Sequence, residues 1–423
     1  MRSWHLAVPE RWKTGLLLLI LVLAGLPLPG IAGGSLPAWS PGELDIHHIS
    51  TGRGDALLFV FPDGTSLLKD ASGKTTESPP FSLPTKPDAS RPPGEWVARY
   101  VRRALPQDAA GLDYALISHF HGDHMGAIDA GSPMTATGGG YRLSGITQVA
   151  ELMPIARLID RGWPDYSYPR RLETPTMDNY RQFVDWQVRH RGLQMEQFRP
   201  GANSQIRMLH DPGAYPDFEV RNLYANGEIW SGQGNGTRQL FPPLDRLPPA
   251  GLPNENKLSI AFRISYGRFN YFSGGDLSSI DEETAAAPAP WLDVESAVAS
   301  ASGPVDVMKA NHHGSWDANS VATLAALQPR VIVVTSRADG HPAVNTYRRM
   351  TSQQVWAGER DIFITAVSAV TAATTYGVER AASTQGHVVV RVARGGAGYR
   401  VFILDDDSEE MLVKAVYGPY SSR

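Results

Sequence analysis

The chain has no cysteine in its 423 residues. That excludes disulfides, thiolate nucleophiles and a lipid carried on an N-terminal cysteine, and it leaves His, Asp and Glu to build any metal site. Positive charge is not in surplus either: 39 Lys and Arg stand against 43 Asp and Glu, a formal net charge of -4. Such a chain exerts no general pull on nucleic acid, so no stable nucleic-acid complex is expected and an anionic or small-molecule substrate has to be drawn by a local site. Long apolar runs are missing except at the start, where Arg2, Arg11 and Lys13 precede Leu17-Leu18-Leu19-Ile20-Leu21-Val22-Leu23 and Gly30-Ile31-Ala32 offers small residues at a cleavage-like spacing. The apolar core is shorter than the roughly 20 residues needed to cross a bilayer. Residues 1–33 therefore read as a signal peptide removed on export to the periplasm or the extracellular space, with an uncleaved anchor as the alternative; no other membrane contact is expected.

What is present is material for a large core, 42% hydrophobic with 19% charged residues, as in a globular enzyme. Leu44 to Ile49, Ala56 to Phe61 and Ser66 to Asp70 read as a β-meander, with turns at Thr51-Gly52-Arg53-Gly54-Asp55 and Pro62-Asp63-Gly64. Trp96, Val97, Tyr100 and Val101 recur at helical spacing, predicting a helix over about 94–105, and Leu112 to Ser118 is a short apolar run typical of a buried strand. The stretch 130–250 is less regular. It holds a Gly/Thr-rich loop at 131–140, a predicted helix at 175–191 and the aromatics Trp163, Tyr166, Tyr168, Tyr180, Trp186 and Trp230, which either contact substrate or form a satellite core. The second half repeats the first: strands at Leu258 to Ser265 and Phe269 to Phe272, an Ala/Glu-rich helical region, a strand at Val305 to Lys309, a helix near 317–327 and a strand at Arg330 to Thr335. Strands at 361–367, 387–393 and 399–404 follow. Two β-rich halves flanked by helices predict an α/β sandwich with its site at the join.

The chemistry concentrates in His119-Phe120-His121-Gly122-Asp123-His124, directly after a predicted strand. Histidines two apart on an extended segment point the same way, so His119 and His121 can meet one ion, while Asp123 and His124 face a second beyond the turn. Asp276 follows a strand and two glycines that let the backbone approach an ion closely; a helix N-cap before Leu277-Ser278 is the alternative reading.

In the order and spacing of these motifs the chain resembles the metallo-β-lactamase superfamily, whose hallmark is H-x-H-x-D-H after a strand. Gly54-Asp55-Ala56, Pro62-Asp63-Gly64, Asn256-Lys257-Leu258-Ser259, Ser273-Gly274-Gly275-Asp276, His312-His313-Gly314-Ser315 and Ser336 with Gly340-His341-Pro342 resemble one branch, the hydrolase domain of ComEC-type competence proteins and their stand-alone secreted relatives. The resemblance implies an αββα sandwich over residues 44–405 with an irregular insertion at about 130–250, followed by a C-terminal tail at 406–423. It also implies that His119 and His121 hold one metal, that Asp123 and His124 help hold a second, and that Asp276 bridges them. His312 and His313 are adjacent on a turn and cannot serve one ion in the same way. The strand-end position makes His312 the expected ligand and gives His313 a substrate-contacting or supporting role. His341, ahead of a proline, is expected to reach the mouth of the site. The wider superfamily has a histidine where Asn256 stands, which leaves the first metal fewer strong ligands. His47 and His48 lie in the first strand and read as structural.

These residues predict hydrolysis by a metal-activated hydroxide, oriented by Asp123, with one or two zinc ions and manganese as the second choice. The expected substrate is a phosphodiester, in nucleic acid or a phosphate-bearing cell-wall polymer. Against it stands the lack of a basic patch, since Arg157, Arg161, Arg170, Arg171, Arg189 and Arg191 cluster only in the middle stretch and a solvated surface explains them equally well. A β-lactam or lactone hydrolase is the alternative, and a non-enzymatic metal-binding scaffold is a further one.

Overall fold

The computed structural model describes residues 33–73, 80, 82–279 and 289–423. Residues 1–32 of the expected signal segment and most of the Ala/Glu-rich stretch lie outside the described residues. In chain order, β1 (Leu44–His48), β2 (Leu57–Val60), β3 (Ser66–Lys69), β4 (Leu112–Leu116), β5 (Ile155–Asp160) and β6 (Gln194–Gln197) build one sheet. A second sheet is built by β7 (Phe218–Ala225), β8 (Glu228–Trp230), β9 (Thr237–Gln239), β10 (Ala261–Tyr266), β11 (Phe269–Ser273), β12 (Val307–Lys309), β13 (Val331–Val334) and β14 (Asp361–Ile364). The chain then returns to the first sheet through β15 (His387–Val392), β16 (Gly398–Leu404) and β17 (Val413–Ser421). The helices are α1 (Pro93–Ala104), α2 (Gly122–Met125), α3 (Ile146–Leu152), α4 (Pro175–Arg191), α5 (Val294–Ser302), α6 (Val321–Leu327), α7 (Val344–Thr351) and α8 (Ala369–Thr374).

Side-chain alternation along the strands sorts the core into layers. Leu57 and Phe59 of β2 and Val331 and Val333 of β13 face the space between the sheets, where Phe59 lies 5.7 Å from Phe262 across the join. Leu58 and Val60 point outward onto Val97 and Val101 of α1, Val149 of α3 and Phe183 of α4. Ile332 and Val334 point outward onto Val298 of α5, Leu324 of α6 and Met350 of α7. The result is the four-layer αββα sandwich, each buried aliphatic side chain contributing about 1.5–3 kcal/mol of transfer free energy.

The middle stretch is woven into the sandwich: β5 and β6 extend the first sheet, β7, β8 and β9 the second, and α4 occupies the helix expected at 175–191. Its edge strands are short and polar, so they lack the alternation that marks a strand. Residues 406–423 are not a free tail, because β17 pairs along β16, with Val416 opposite Phe402. Of the middle aromatics, Tyr166 and Tyr180 are buried and donate to Asp160 at 3.0 and 2.9 Å, whereas Tyr168 is exposed.

Pairing is parallel through β3, β4, β5 and β6 and again through β11, β12, β13 and β14. The C-terminal ends of parallel strands are where open α/β sheets assemble their sites. Here the segments leaving β3, β4, β11, β12 and β13 meet.

Candidate metal centre

Local backbone geometry brings the ligand-type residues together. Ser118 and His119 leave β4 fully buried, and the single turn of α2 then returns Asp123 and His124 toward the strand end. Gly54 packs against that turn with φ +140°, where a Cβ would fall 1.9 Å from the carbonyl oxygen of Asp123. A glycine is required there. The Phe120 amide donates to Glu255 at 2.8 Å, and Glu255 is gripped by the Arg161 guanidinium at 2.7 and 2.5 Å, which clamps the His119–His121 segment. After β12, His312 (φ 47°) and His313 (φ 55°) are both left-handed, and Gly314 continues at φ 78°. Non-glycine residues in that region cost roughly 1–2 kcal/mol each. The strain turns the two neighbouring rings in different directions.

Asp276 is the hub. Its Oδ2 lies 3.0 Å from His124 Nε2, 3.4 Å from His313 Nε2, and 3.8 Å from the Nε2 atoms of both His119 and His312. Asp123 Oδ2 lies 3.3 Å from His313 Nε2 and 3.9 Å from His124 Nε2. One ligand atom from each of Asp123, His124, Asp276 and His313 falls within 4.8 Å of all the others, and all four residues are buried. His124 Nε2 and His313 Nε2 are buried against carboxylate oxygens at 3.0 Å and 3.3 Å, and Asp276 Oδ1, among the described residues, is buried without a hydrogen-bond partner. Buried polar atoms are seldom left so, and an inward-facing set of imidazole nitrogens and carboxylate oxygens is what a divalent cation requires. The residues present therefore fit a metal ion.

The electrostatics agree. Burial opposes charge on His124, but Asp276 and Asp70 outweigh it and push the imidazole up to about 9. His313 is raised well above its ordinary value against the same burial, by Asp276 and Asp55. Burial would raise Asp276, yet His124 and His313 hold it well below the usual carboxylate range. Burial keeps His119 neutral, with the neighbouring His124 adding to the effect. Protons on His124 and His313 thus meet the demand of two carboxylates for positive charge, and a metal ion meets the same demand by displacing them.

Behind the ligands sits a layer that sequence reasoning missed. Asp70 Oδ2 lies 3.0 Å from His124 Nδ1 and accepts from Ser118 Oγ at 2.8 Å, while Asp55 Oδ1 lies 3.2 Å from His313 Nδ1 and accepts from Thr335 Oγ1 at 2.6 Å. Asp70, and Asp55 together with the Thr335 carbonyl oxygen, fix the far nitrogens of His124 and His313 so that Nε2 faces the centre. Two buried lysines balance them: Lys69 Nζ is 2.8 Å from Asp70, and Lys309 Nζ is 2.6 Å from Asp55. Asp55, Asp70 and His124 could themselves group around an ion, but the two ammonium groups already supply that charge. Lys69 and Lys309 stand at the ends of apolar strands, and a lysine inside such a pattern is the signal that could have found this layer.

The remaining predicted residues lie around the cluster. His121 is exposed, with Nδ1 3.0 Å from His119 Nε2. The two rings of the His312–His313 pair lie in different surroundings. His313 contributes Nε2 to the tight group, with Nδ1 3.2 Å from Asp55 and 2.9 Å from the Thr335 carbonyl oxygen. His312 is held 2.7 Å from Asp317 through Nδ1, and its Nε2 is 3.3 Å from Asn256 Nδ2. His341 stacks on His313 at 5.6 Å and 12°, and Arg337 Nε lies 2.6 Å from Asp123 Oδ2. His47 and His48 are buried in β1, 3.0 Å from the Tyr100 and Tyr271 hydroxyls, away from the centre. A cleft of about 910 Å³ is lined by Tyr168, Phe241, Leu244 and Leu252 and by none of the ligand residues; size alone does not mark the chemistry.

No family model matches the sequence, and no curated protein matches it. Among solved structures, the chain is similar to unliganded yeast PDE1, at 10% identity over 77% of this chain and 98% of that one, with a TM-score of 0.33. It is also similar to a protein of unknown function from Enterococcus faecalis V583, at 9% identity over 77% of this chain and 71% of that one, with a TM-score of 0.30.

Proposed function

We propose that this chain is an exported metal-dependent hydrolase that cleaves phosphodiesters, in nucleic acid or a phosphate-bearing cell-wall polymer. The observation that carries the reading is the convergence of imidazole Nε2 atoms from His119, His124, His312 and His313 on one oxygen of Asp276. Asp123, His124, Asp276 and His313 would hold the ion, with His119 and His121 alongside. Zinc suits this nitrogen-rich set best, and manganese is second. When bound, such an ion supplies Lewis acidity at the strand ends, the contribution that makes hydrolysis of an unreactive ester feasible at neutral pH.

The chain's own residues do the rest. Asp70 and Asp55 hold the Nδ1 atoms of His124 and His313, which aims the lone pairs on Nε2 inward. Asp123, held ionised and reached by Arg337 Nε, would orient an attacking water beside the ion. His341, stacked on His313, shields that ring from solvent and so keeps the local dielectric low. Export is supported by the basic, then apolar, then small-residue order of the first 33 residues.

The test is elemental analysis of the purified protein combined with a substrate panel. Zinc or manganese should co-purify, bis-p-nitrophenyl phosphate and single-stranded DNA should be cleaved, and Asp276→Asn should abolish cleavage while circular dichroism stays unchanged. Metal-loaded protein that opens nitrocefin or a lactone but leaves both diesters intact would replace this reading with the cyclic amide or ester one.

A further inference from the structure

We propose that a cleft beside the centre binds single-stranded nucleic acid and holds the strand that runs into the site. The inference rests on the hydrolase reading above and names the polymer. The cleft encloses about 410 Å³ between α7, the segment 376–382 and the start of β14. Hydrogen bonds tie its walls to the loop that carries His341. The Ala343 amide donates to the Gly314 carbonyl oxygen at 2.9 Å, Thr375 Oγ1 to the Pro342 carbonyl oxygen at 3.0 Å, and the Tyr347 hydroxyl to the Gly377 carbonyl oxygen at 3.1 Å. The near end of the cleft is Val344, where α7 begins beside His341. From there α7 runs about 12 Å to its last residues, whose neighbours Met350 and Ser352 accept from Arg360 just ahead of β14.

The chain as a whole is acidic, but this cleft is not. Arginines that are scattered in sequence, Arg348, Arg360 and Arg380, line it together, and its carboxylate, Asp361, is already answered by Arg330 at 2.9 Å. Arg348 is exposed and has no carboxylate partner among the described residues. Arg360 is held by backbone carbonyl oxygens, which leaves its charge uncompensated. Arg380 meets only Glu379, at 3.7 Å and in full view of solvent, where such a pair is worth little. Beside it Tyr376 is 84% exposed, with the Arg380 guanidinium 5.8 Å from its ring centroid. Guanidinium forks match phosphate oxygens, and an exposed aromatic ring offers a base a face to stack on. A phosphate polymer without bases would use the arginines and leave Tyr376 idle.

Fluorescence anisotropy tests this with a labelled oligothymidylate phosphorothioate about 20 nucleotides long, which resists cleavage and exceeds a single site of this kind. Replacing Arg348 and Arg380 together by Gln should reduce the slope of log affinity against log salt by about 1.4, since each single-strand phosphate contact contributes about 0.7. Replacing both by Lys should keep the slope, and Tyr376→Ala should weaken binding about tenfold. Cleavage of bis-p-nitrophenyl phosphate, which is too small to reach the cleft, should stay at the wild-type rate in every variant. A wild type that does not bind the oligonucleotide overturns the proposal, as does a slope that the double Gln variant leaves unchanged. Inorganic polyphosphate that binds as tightly, with Tyr376→Ala altering neither ligand, overturns it in favour of a base-free polymer. If the diester is not cleaved while oligonucleotide binding depends on these residues, the hydrolase reading falls and the cleft stands. If the wild type cleaves the diester while binding ignores them, the hydrolase reading stands and the cleft falls.

Discussion

Replacing Asp55 by Asn separates the electrostatic and positioning roles of the buried layer. Asp55 Oδ2 is 2.6 Å from Lys309 Nζ, and both side chains are fully buried. At an effective dielectric near 20 the direct attraction at that spacing is about 6 kcal/mol before desolvation is subtracted. Removing one partner leaves an uncompensated ammonium in the core, which costs about 3–5 kcal/mol. Lys69 keeps its contact with Asp70 at 2.8 Å, so the damage centres on Lys309. Asparagine still offers Oδ1 to His313 Nδ1, so zinc affinity should drop by about tenfold, the low end for the loss of a group that orients a ligand. Urea unfolding of the zinc-free protein reads the first effect, and competition with a chromophoric chelator reads the second. Adding Lys309→Met to Asp55→Asn removes the stranded charge, so stability should recover by a few kcal/mol while zinc affinity stays low. Recovery of zinc affinity together with stability would show that Asp55 acts only by holding the fold, and would refute its role in aiming His313.

The two adjacent histidines should differ in consequence: His313→Ala should weaken zinc binding far more than His312→Ala, because His313 belongs to the tight group while His312 Nε2 stays 3.8 Å from Asp276. Equal losses, measured by the same chelator competition, would return the pair to parity. Glu295, which accepts from the Asn311 side chain and the Asn319 and Ser320 amides beneath this loop, is pushed by burial from 4.5 up to about 7. Its folded form therefore holds the proton more tightly than the unfolded chain. That contribution is complete below pH 4.5 and is lost as pH rises through 7, amounting to about 3 kcal/mol at most. The thermal midpoint of the wild type should fall between pH 5 and 8, and Glu295→Gln should flatten that slope; an unchanged slope refutes the assignment.

Much of this was legible before the structure. Strands such as Ala56 to Phe61 and Arg330 to Thr335 announce themselves because both faces are buried and the run is largely apolar, and α1 because its apolar positions recur at helical spacing. The His119 to His124 segment is legible because its residue types have little use outside metal chemistry. Asp55 and Asp70 were not, since in one dimension they are a turn residue and a strand end. Their role exists only once β3 and the turn after β1 lie behind His124 and His313. The polar strands β6 and β9 escaped for a related reason: at a sheet edge, backbone pairing holds a strand with little help from its side chains.

The first and last thirds of the chain are stitched together, with β1 pairing along β15 so that Leu44 faces Val392. As the chain is synthesised, one side of β1 has no neighbour until residues beyond His387 have been made. Contacts this distant in sequence make for slow, late folding. The first sheet, with Asp70 and the His119 to His124 segment at its strand ends, cannot close in step with synthesis. Assembly of the centre therefore follows the synthesis of β15, and a truncation just before His387 should leave a protein with every ligand-type residue of the cluster in its sequence and an open edge at β1.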